Sequence, residues 1–362
     1  MPMVKSPFNG QLNSNEIFSS IYNMIISQQV FADNIKGAFT EFSQMFKTDG
    51  SMYGDTKLFY ATDVLKSHPW GKDAEAGNLL ALDRPKDPEC QAIVIDQFRQ
   101  IRLTVDNYLS KRAWGDEGAF SSFNSVMLGW IRDTKKVYDA TLVNAYLGTV
   151  KTQADINTIA IDLTDGEGIT SLEEKNRWEA MKIGEEIANL FVNLQDVSRD
   201  YNDYGFLRSY DTSDFVIVWN SEWVNKIRKV DLPTIFHNDG IIDKFAEKVL
   251  PARYFGDINS TTDTGTGTNC RSLIEQDVDG EHYFPGDLLP NETDVTAKTT
   301  YFVDSNIICK VVHKNAIKYM SAFEVGTSFF NPRSLTENHY LTFGYSYPDY
   351  LKNYPVINVK VA

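Results

Sequence analysis

Residues 115–148 read GDEGAFSSFNSVMLGWIRDTKKVYDATLVNAYLG, and within them Phe120, Phe123, Met127, Trp130, Ile131, Val137, Tyr138, Leu142, Ala145 and Tyr146 recur mostly three or four positions apart. That is the period of a helix with one buried stripe. Asp116 and Glu117 sit where the helix dipole favours negative charge, Arg132, Lys135 and Lys136 fall on the polar side, and Gly148 supplies a stop. At 1.5 Å per residue, about thirty residues span roughly 45–50 Å, enough to cross a domain. A strut of that length predicts a scaffold rather than a pocket.

Upstream, Lys57 to Leu65 and Gln91 to Val105 read as two strands, the second alternating through Ile93, Ile95, Ile101, Leu103 and Val105, with a polar, Gly- and Pro-punctuated excursion between them. A lone two-stranded hairpin is barely stable in water, so this one must lie on its own body or on another subunit. Residues 1 to about 50 form an arm with a helix over Ile17 to Gln29. Downstream, Val150 to Asp165 alternates as a strand. Ser171 and Glu174 make a capping box, opening a helix whose apolar face is Trp178, Met181, Ile187, Leu190, Phe191 and Leu194. Phe215 to Trp219 (FVIVW) is apolar throughout, the mark of a strand buried on both faces, and Asn220 or Ser221 caps a short helix after it. Strands follow at Tyr301 to Val303, Ile307 to Val312, Ile317 to Val325, Tyr340 to Tyr345 and Val356 to Val361.

The chain has 362 residues, 42% hydrophobic and 13% aromatic, with a formal net charge of −14 that disfavours non-specific attraction to nucleic acid. Residues 231–300 hold thirteen acidic residues against five basic ones, and so more than half of that charge. No run of eighteen apolar residues exists, and the N-terminus lacks a signal-peptide core, which predicts a soluble, non-secreted protein without membrane contact. Cys90, Cys270 and Cys309, odd in number and far apart, fit reduced thiols.

No constellation of catalytic residues emerges. The five histidines show no metal-ligand spacing, and only His313 lies within four residues of a cysteine, Cys309. Asp277, Asp279 and Glu281 lack the remaining oxygen ligands of a calcium loop and read as a hydrated acidic turn. Gly265 and Gly267 lack the third glycine and the Lys-Ser/Thr pair of a phosphate loop. Neither cofactor nor metal is predicted, and the chain does not read as an enzyme.

The order of elements, an arm, a long hairpin with a polar tip, a spine helix, an α/β region and returning strands, resembles the major capsid protein of tailed bacteriophages, the Hong Kong 97 fold. Two segments carry a closer resemblance to the capsid proteins of small phi-29-like podoviruses. They are FVIVWNSEWVNKIRKVDLPTIFHNDG (215–240) and SFFNPRSLTENHYLTFGYSYPDYLKNYPVINVKV (328–361), with Asn331, Pro332, Arg333, Leu335, Asn338 and Tyr340. The resemblance implies an α+β fold divided into an N-terminal arm (1–52), an E-loop hairpin (53–105), a peripheral domain with the spine helix (106–150 and 301–362) and an axial α/β domain (151–300).

It also implies a major capsid protein that assembles with itself, as hexamers and pentamers, into an icosahedral head enclosing double-stranded DNA without sequence-specific binding. Scaffolding, portal and head-fibre proteins are the further partners implied, with assembly in the host cytoplasm. The chain ends at Ala362, so the immunoglobulin-like domain of the phi-29 type is not expected, and the Lys, Asn and Glu of the fold's covalent cross-link find no match. At the hairpin, Phe59, Ile93 and Ile95 are expected to face a neighbouring subunit, with Lys72, Asp73, Glu75, Asp83, Arg84 and Lys86 forming charge pairs at the tip. Other readings are a portal or tail component, which would carry more helix, and an α/β enzyme with 231–300 over its active site.

Overall fold

The computed structural model describes residues 45–50, 55–67, 84–106, 117–149, 158–228, 246–257, 270–290, 300–346 and 349–362. The expected arm helix, the hairpin tip from 68 to 83 and the glycines at 265 and 267 lie outside them. In chain order the structure runs β1 (Lys47–Asp49), β2 (Thr56–Ala61), β3 (Glu89–Val94), β4 (Gln97–Asp106), α1 (Glu117–Thr149), β5 (Thr158–Ile161), α2 (Leu172–Gln195), β6 (Phe215–Asn220) and α3 (Ser221–Arg228). It continues with β7 (Ala246–Leu250), β8 (Gly256–Asp257), β9 (Cys270–Ser272), β10 (Gln276–Val278), β11 (Glu281–Tyr283) and β12 (Thr300–Val303). The chain closes with β13 (Ile307–His313), β14 (Ile317–Asn331), β15 (Thr336–Tyr345), β16 (Asp349–Tyr350) and β17 (Val356–Val361).

A mixed sheet in the order β5-β17-β13-β6-β7 carries a core on each face. Every residue of β6 is buried, because pleating sends Phe215, Ile217 and Trp219 toward α2 while Val216 and Val218 meet Val143, Ala145 and Leu147 at the end of α1. Burial on two faces is why this strand is apolar at successive positions. Since β13 and β17 pair with β6 and β5, β12 pairs with β8 and β9, and β14 pairs with β15, the 301–362 return does not lie in one domain, as the sequence division had it, but is shared among three sheets.

The second sheet runs β1-β14-β15-β4, with β16 also on β14. Tyr138 and Leu142 of α1 pack on its Phe343 and Tyr345. Here the second strand of the expected hairpin departs from its reading. It breaks after Val94, and the piece beyond, β4, pairs residue by residue with β15 from Gln97↔Tyr345 to Asp106↔Thr336. Only β3 pairs with β2, as a short ribbon. Alternation runs in one phase through Ile93, Ile95, Ile101 and Val105, so nothing local marks the exchange of partners.

Four local expectations change. Gly148 does not stop α1, which continues to Thr149; a Cβ at Gly148 would fall 1.8 Å from the Tyr254 carbonyl oxygen, so the glycine lets the 252–254 turn touch the helix. Lys135 is buried rather than on the polar side, with its Nζ 3.0 Å from Asp139 and 5.3 Å above the Phe343 ring. Ser171 occupies the N-cap position of α2 without a side-chain capping bond, at an exposed first turn where water can satisfy the N–H groups. Met181 points outward, and Ala180, Ile183 and Gly184 complete the buried face of α2 instead.

Candidate assembly surfaces

The ribbon of β2 and β3 has two faces fixed by its register. Lys57↔Ile93 and Phe59↔Gln91 point to one side, Leu58↔Ala92 and Tyr60↔Cys90 to the other. The first side lies on the chain's own body. Ile93 and Ile95, 3% and 2% exposed, pack with Met320 and Leu351, and Phe59 lies half-buried against them. These three residues were expected to face a neighbour and are instead occupied within the chain. What the ribbon presents outward is Leu58 (51% exposed), Tyr60 (65%), Ala92 and Val94 (43%).

Polar contacts hold the inner side down. Gln91 Nε2 donates to the Tyr350 carbonyl at 2.8 Å, and the Lys352 N–H donates to Gln91 Oε1 at 3.1 Å. Arg199 donates to Asp63 Oδ2 at 2.8 Å and the Leu207 N–H to Asp63 Oδ1 at 3.0 Å, contacts that hold the Asp63 carboxyl down to about 2. Arg208 Nη2 donates to the Thr62 carbonyl at 2.6 Å. Of the expected tip charges, Lys72, Asp73, Glu75 and Asp83 lie outside the described residues. Arg84 is exposed, and Lys86 turns to its own chain, 3.5 Å from Glu89 and 5.2 Å from the Phe206 ring.

A second apolar surface lies at the far end of the β14–β15 hairpin. Phe329 and Phe330 are 62% and 51% exposed and, being adjacent on a strand, point to opposite faces. The turn beside them is held by the Asn331 side chain accepting from the Arg333 N–H at 3.0 Å, with Leu335 in the left-handed region at φ 55°. The sequence reading missed both surfaces. In TKLFYA both parities are apolar, so alternation cannot say which side faces out; the paired aromatics Phe329 and Phe330 before a Pro-containing turn were the available signal.

Chemistry of other kinds finds little footing among the described residues. No group of three or more His, Cys, Asp or Glu is placed to hold a metal ion, and no helix is long and apolar enough to cross a membrane. Cys270 and Cys309 are buried and Cys90 is exposed on the outer side of the ribbon, none of them in a disulfide. His313 stacks on Tyr354 at 4.5 Å and meets Phe215 edge-on at 5.4 Å, in the manner of a core residue; burial pushes its imidazole down to about 4.

Comparison with known proteins places this arrangement. A model of the Phi29-like phage major capsid protein family matches residues 5–348. Among solved structures, the chain is similar to the capsid of Staphylococcus phage Andhra, with a TM-score of 0.61 and 12% identity over 100% of this chain and 90% of that one. It is equally similar to a chain in the structure of the head fibre and inner core protein gp22 of native bacteriophage P68, with a TM-score of 0.62 and 12% identity over 100% of this chain and 91% of that one. No curated protein matches the sequence.

Proposed function

The chain belongs to the Phi29-like phage major capsid protein family and is a major capsid protein, not an enzyme, that forms a phage head; from that premise we propose how its parts serve the shell. The ribbon of β2 and β3, with the tip between them, is the E-loop of a Hong Kong 97-like fold, α1 is its spine helix, and the residues before β1 are its arm. A peripheral domain gathers α1 with β4, β14 and β15, and an axial domain gathers α2 with the sheet around β6. Copies associate as hexamers and pentamers. Apart from its β10–β11 hairpin, the acidic 231–300 region lies at the symmetry axes, away from the enclosed DNA, which is held without sequence-specific contact.

One observation carries the interface assignment. A register that buries Ile93 and Ile95 leaves Leu58, Tyr60, Ala92 and Val94 as a continuous apolar strip in water. Exposed apolar strips on a rigid, anchored support mark surfaces that a partner covers. Here the partner is a neighbouring copy, and each contact, small by itself, is repeated around the shell. The aromatic end of the β14–β15 hairpin supplies a second contact of the same kind. Assembly takes place in the host cytoplasm, with scaffolding, portal and head-fibre proteins as further partners. Deleting residues 71–88 is expected to leave a folded, soluble subunit that closes no shells, as read by sedimentation and electron microscopy; shells of wild-type size from that deletion would overturn the E-loop assignment.

A further inference from the structure

Arg132, Lys135 and Lys136 lie on successive turns of α1 and, with Lys47 of β1 and His339 of β15, line a groove of about 650 Å³ between that helix and the β14–β15 hairpin. Its carboxylate, Asp139, is engaged by Lys135 at 3.0 Å. Lys136 lies 3.7 Å from Asp133 beside the groove, so four cations stand against two carboxylates and the local balance is positive in a chain of net charge −14. Arg132 and Lys136 are exposed, and the wall at Gly326 is open, since a Cβ there would meet nothing within 4 Å.

The opposite sign is built into a second feature. β10 and β11 form a hairpin closed by Asp279 and Gly280, whose φ values of 53° and 83° are the two left-handed residues of a type I′ turn. From Glu275 to Asp287 the chain carries five carboxylates and neither Lys nor Arg. Asp277, Asp279 and Glu281 are exposed. The base is fixed: His282 bridges Glu275 at 2.8 Å and Asp277 at 2.7 Å, and Arg99 of β4 reaches Glu275 at 3.2 Å. This is a stiff acidic knob tied to its own chain at the root, with its tip in solvent.

We infer that the basic groove between α1 and the β14–β15 hairpin receives the acidic β10–β11 knob of a second copy of this chain. Complementary charge steers such a contact and fixes its register, and a preorganised knob gives up little freedom on docking. The two patches differ, so the contact is heterologous and passes from copy to copy, as closed rings do. The inference rests on the shell reading above and specifies one contact within it.

Charge exchange in the full-length protein tests it. Arg132→Glu with Lys136→Glu, and separately Asp279→Lys with Glu281→Lys, should each raise the concentration needed for shell formation roughly tenfold or more, while all four together restore it to within about threefold of wild type. All these side chains are exposed, and an unchanged melting temperature of the soluble subunit verifies folding. Gly326→Phe, which fills the groove without altering charge, should impair assembly as the reversals do. The inference is overturned if either pair leaves assembly unchanged, if the fourfold variant stays impaired, or if the groove reversal lowers only the DNA retained by otherwise normal shells. Wild-type protein that forms no shells would instead count against the shell reading itself.

Discussion

Ile93 and Leu58 lie on the same short ribbon and make opposite predictions. Ile93→Ala removes a side chain packed against Met320 and Leu351 and should cost the isolated subunit about 2–4 kcal/mol in denaturant unfolding. Leu58→Ser with Tyr60→Ser removes only exposed apolar surface and should change subunit stability by less than about 0.5 kcal/mol each, yet abolish shells. His313 gives a pH signature. Its folded value is pushed from 6.5 down to about 4 by burial, so the unfolded chain binds the extra proton between those limits. Stability is therefore full above pH 6.5 and falls as pH drops toward 4, by roughly 3 kcal/mol in all, and His313→Gln should flatten that slope in urea melts at stepped pH. Asp63 acts in the same sense in a more acidic window: with its carboxyl held from 3.8 down to about 2 by Arg199 and Leu207, its contribution is full above pH 3.8 and is lost as pH falls from there toward 2. At this scale the sequence was least legible. Which of Phe59 or Leu58 faces inward depends on Met320 and Leu351, more than two hundred and fifty residues away in the chain, and no local pattern encodes that.

Elements whose burial is complete were the readable ones. FVIVW announced β6 because both of its faces are covered, and the spacing of Trp130 to Tyr146 announced α1 because Tyr138 and Leu142 share one helix face against Phe343 and Tyr345. Reading failed where partners change without a change of pattern, as at the break between β3 and β4, where pairing with β2 on one side and β15 on the other is a long-range choice. It failed also where a charged residue is buried by tertiary contact, since the stem of Lys135 is covered while its ammonium keeps Asp139 and the Phe343 ring. Gly148 is the place to test the packing of α1 on the first core. Gly148→Ala must push the Tyr254 carbonyl away and should destabilise the subunit by about 2–3 kcal/mol or more, measured by thermal unfolding against Gly129→Ala, whose Cβ meets nothing within 4 Å.

At the scale of the molecule, two cores share one mixed sheet, and a long helix carries a second sheet beyond them, giving a plate with anchored projections. The family was legible because element order survives where residue identity does not: similarity to the chain in the Andhra capsid structure extends over the whole of this chain at 12% identity. What the chain buries against other copies was not legible, because an exposed strip such as Leu58, Tyr60 and Val94 acquires meaning only once the inner side of the ribbon is known to be filled. An electron-microscopic reconstruction of particles assembled from the full-length protein, at a resolution that shows side chains, tests this most directly. The account predicts closed shells in which Leu58, Tyr60 and Val94 are covered by an adjacent copy while Ile93 and Ile95 stay packed on their own chain. Shells in which that outer strip remains open to solvent, or in which Ile93 and Ile95 reach across to the neighbour, would contradict it.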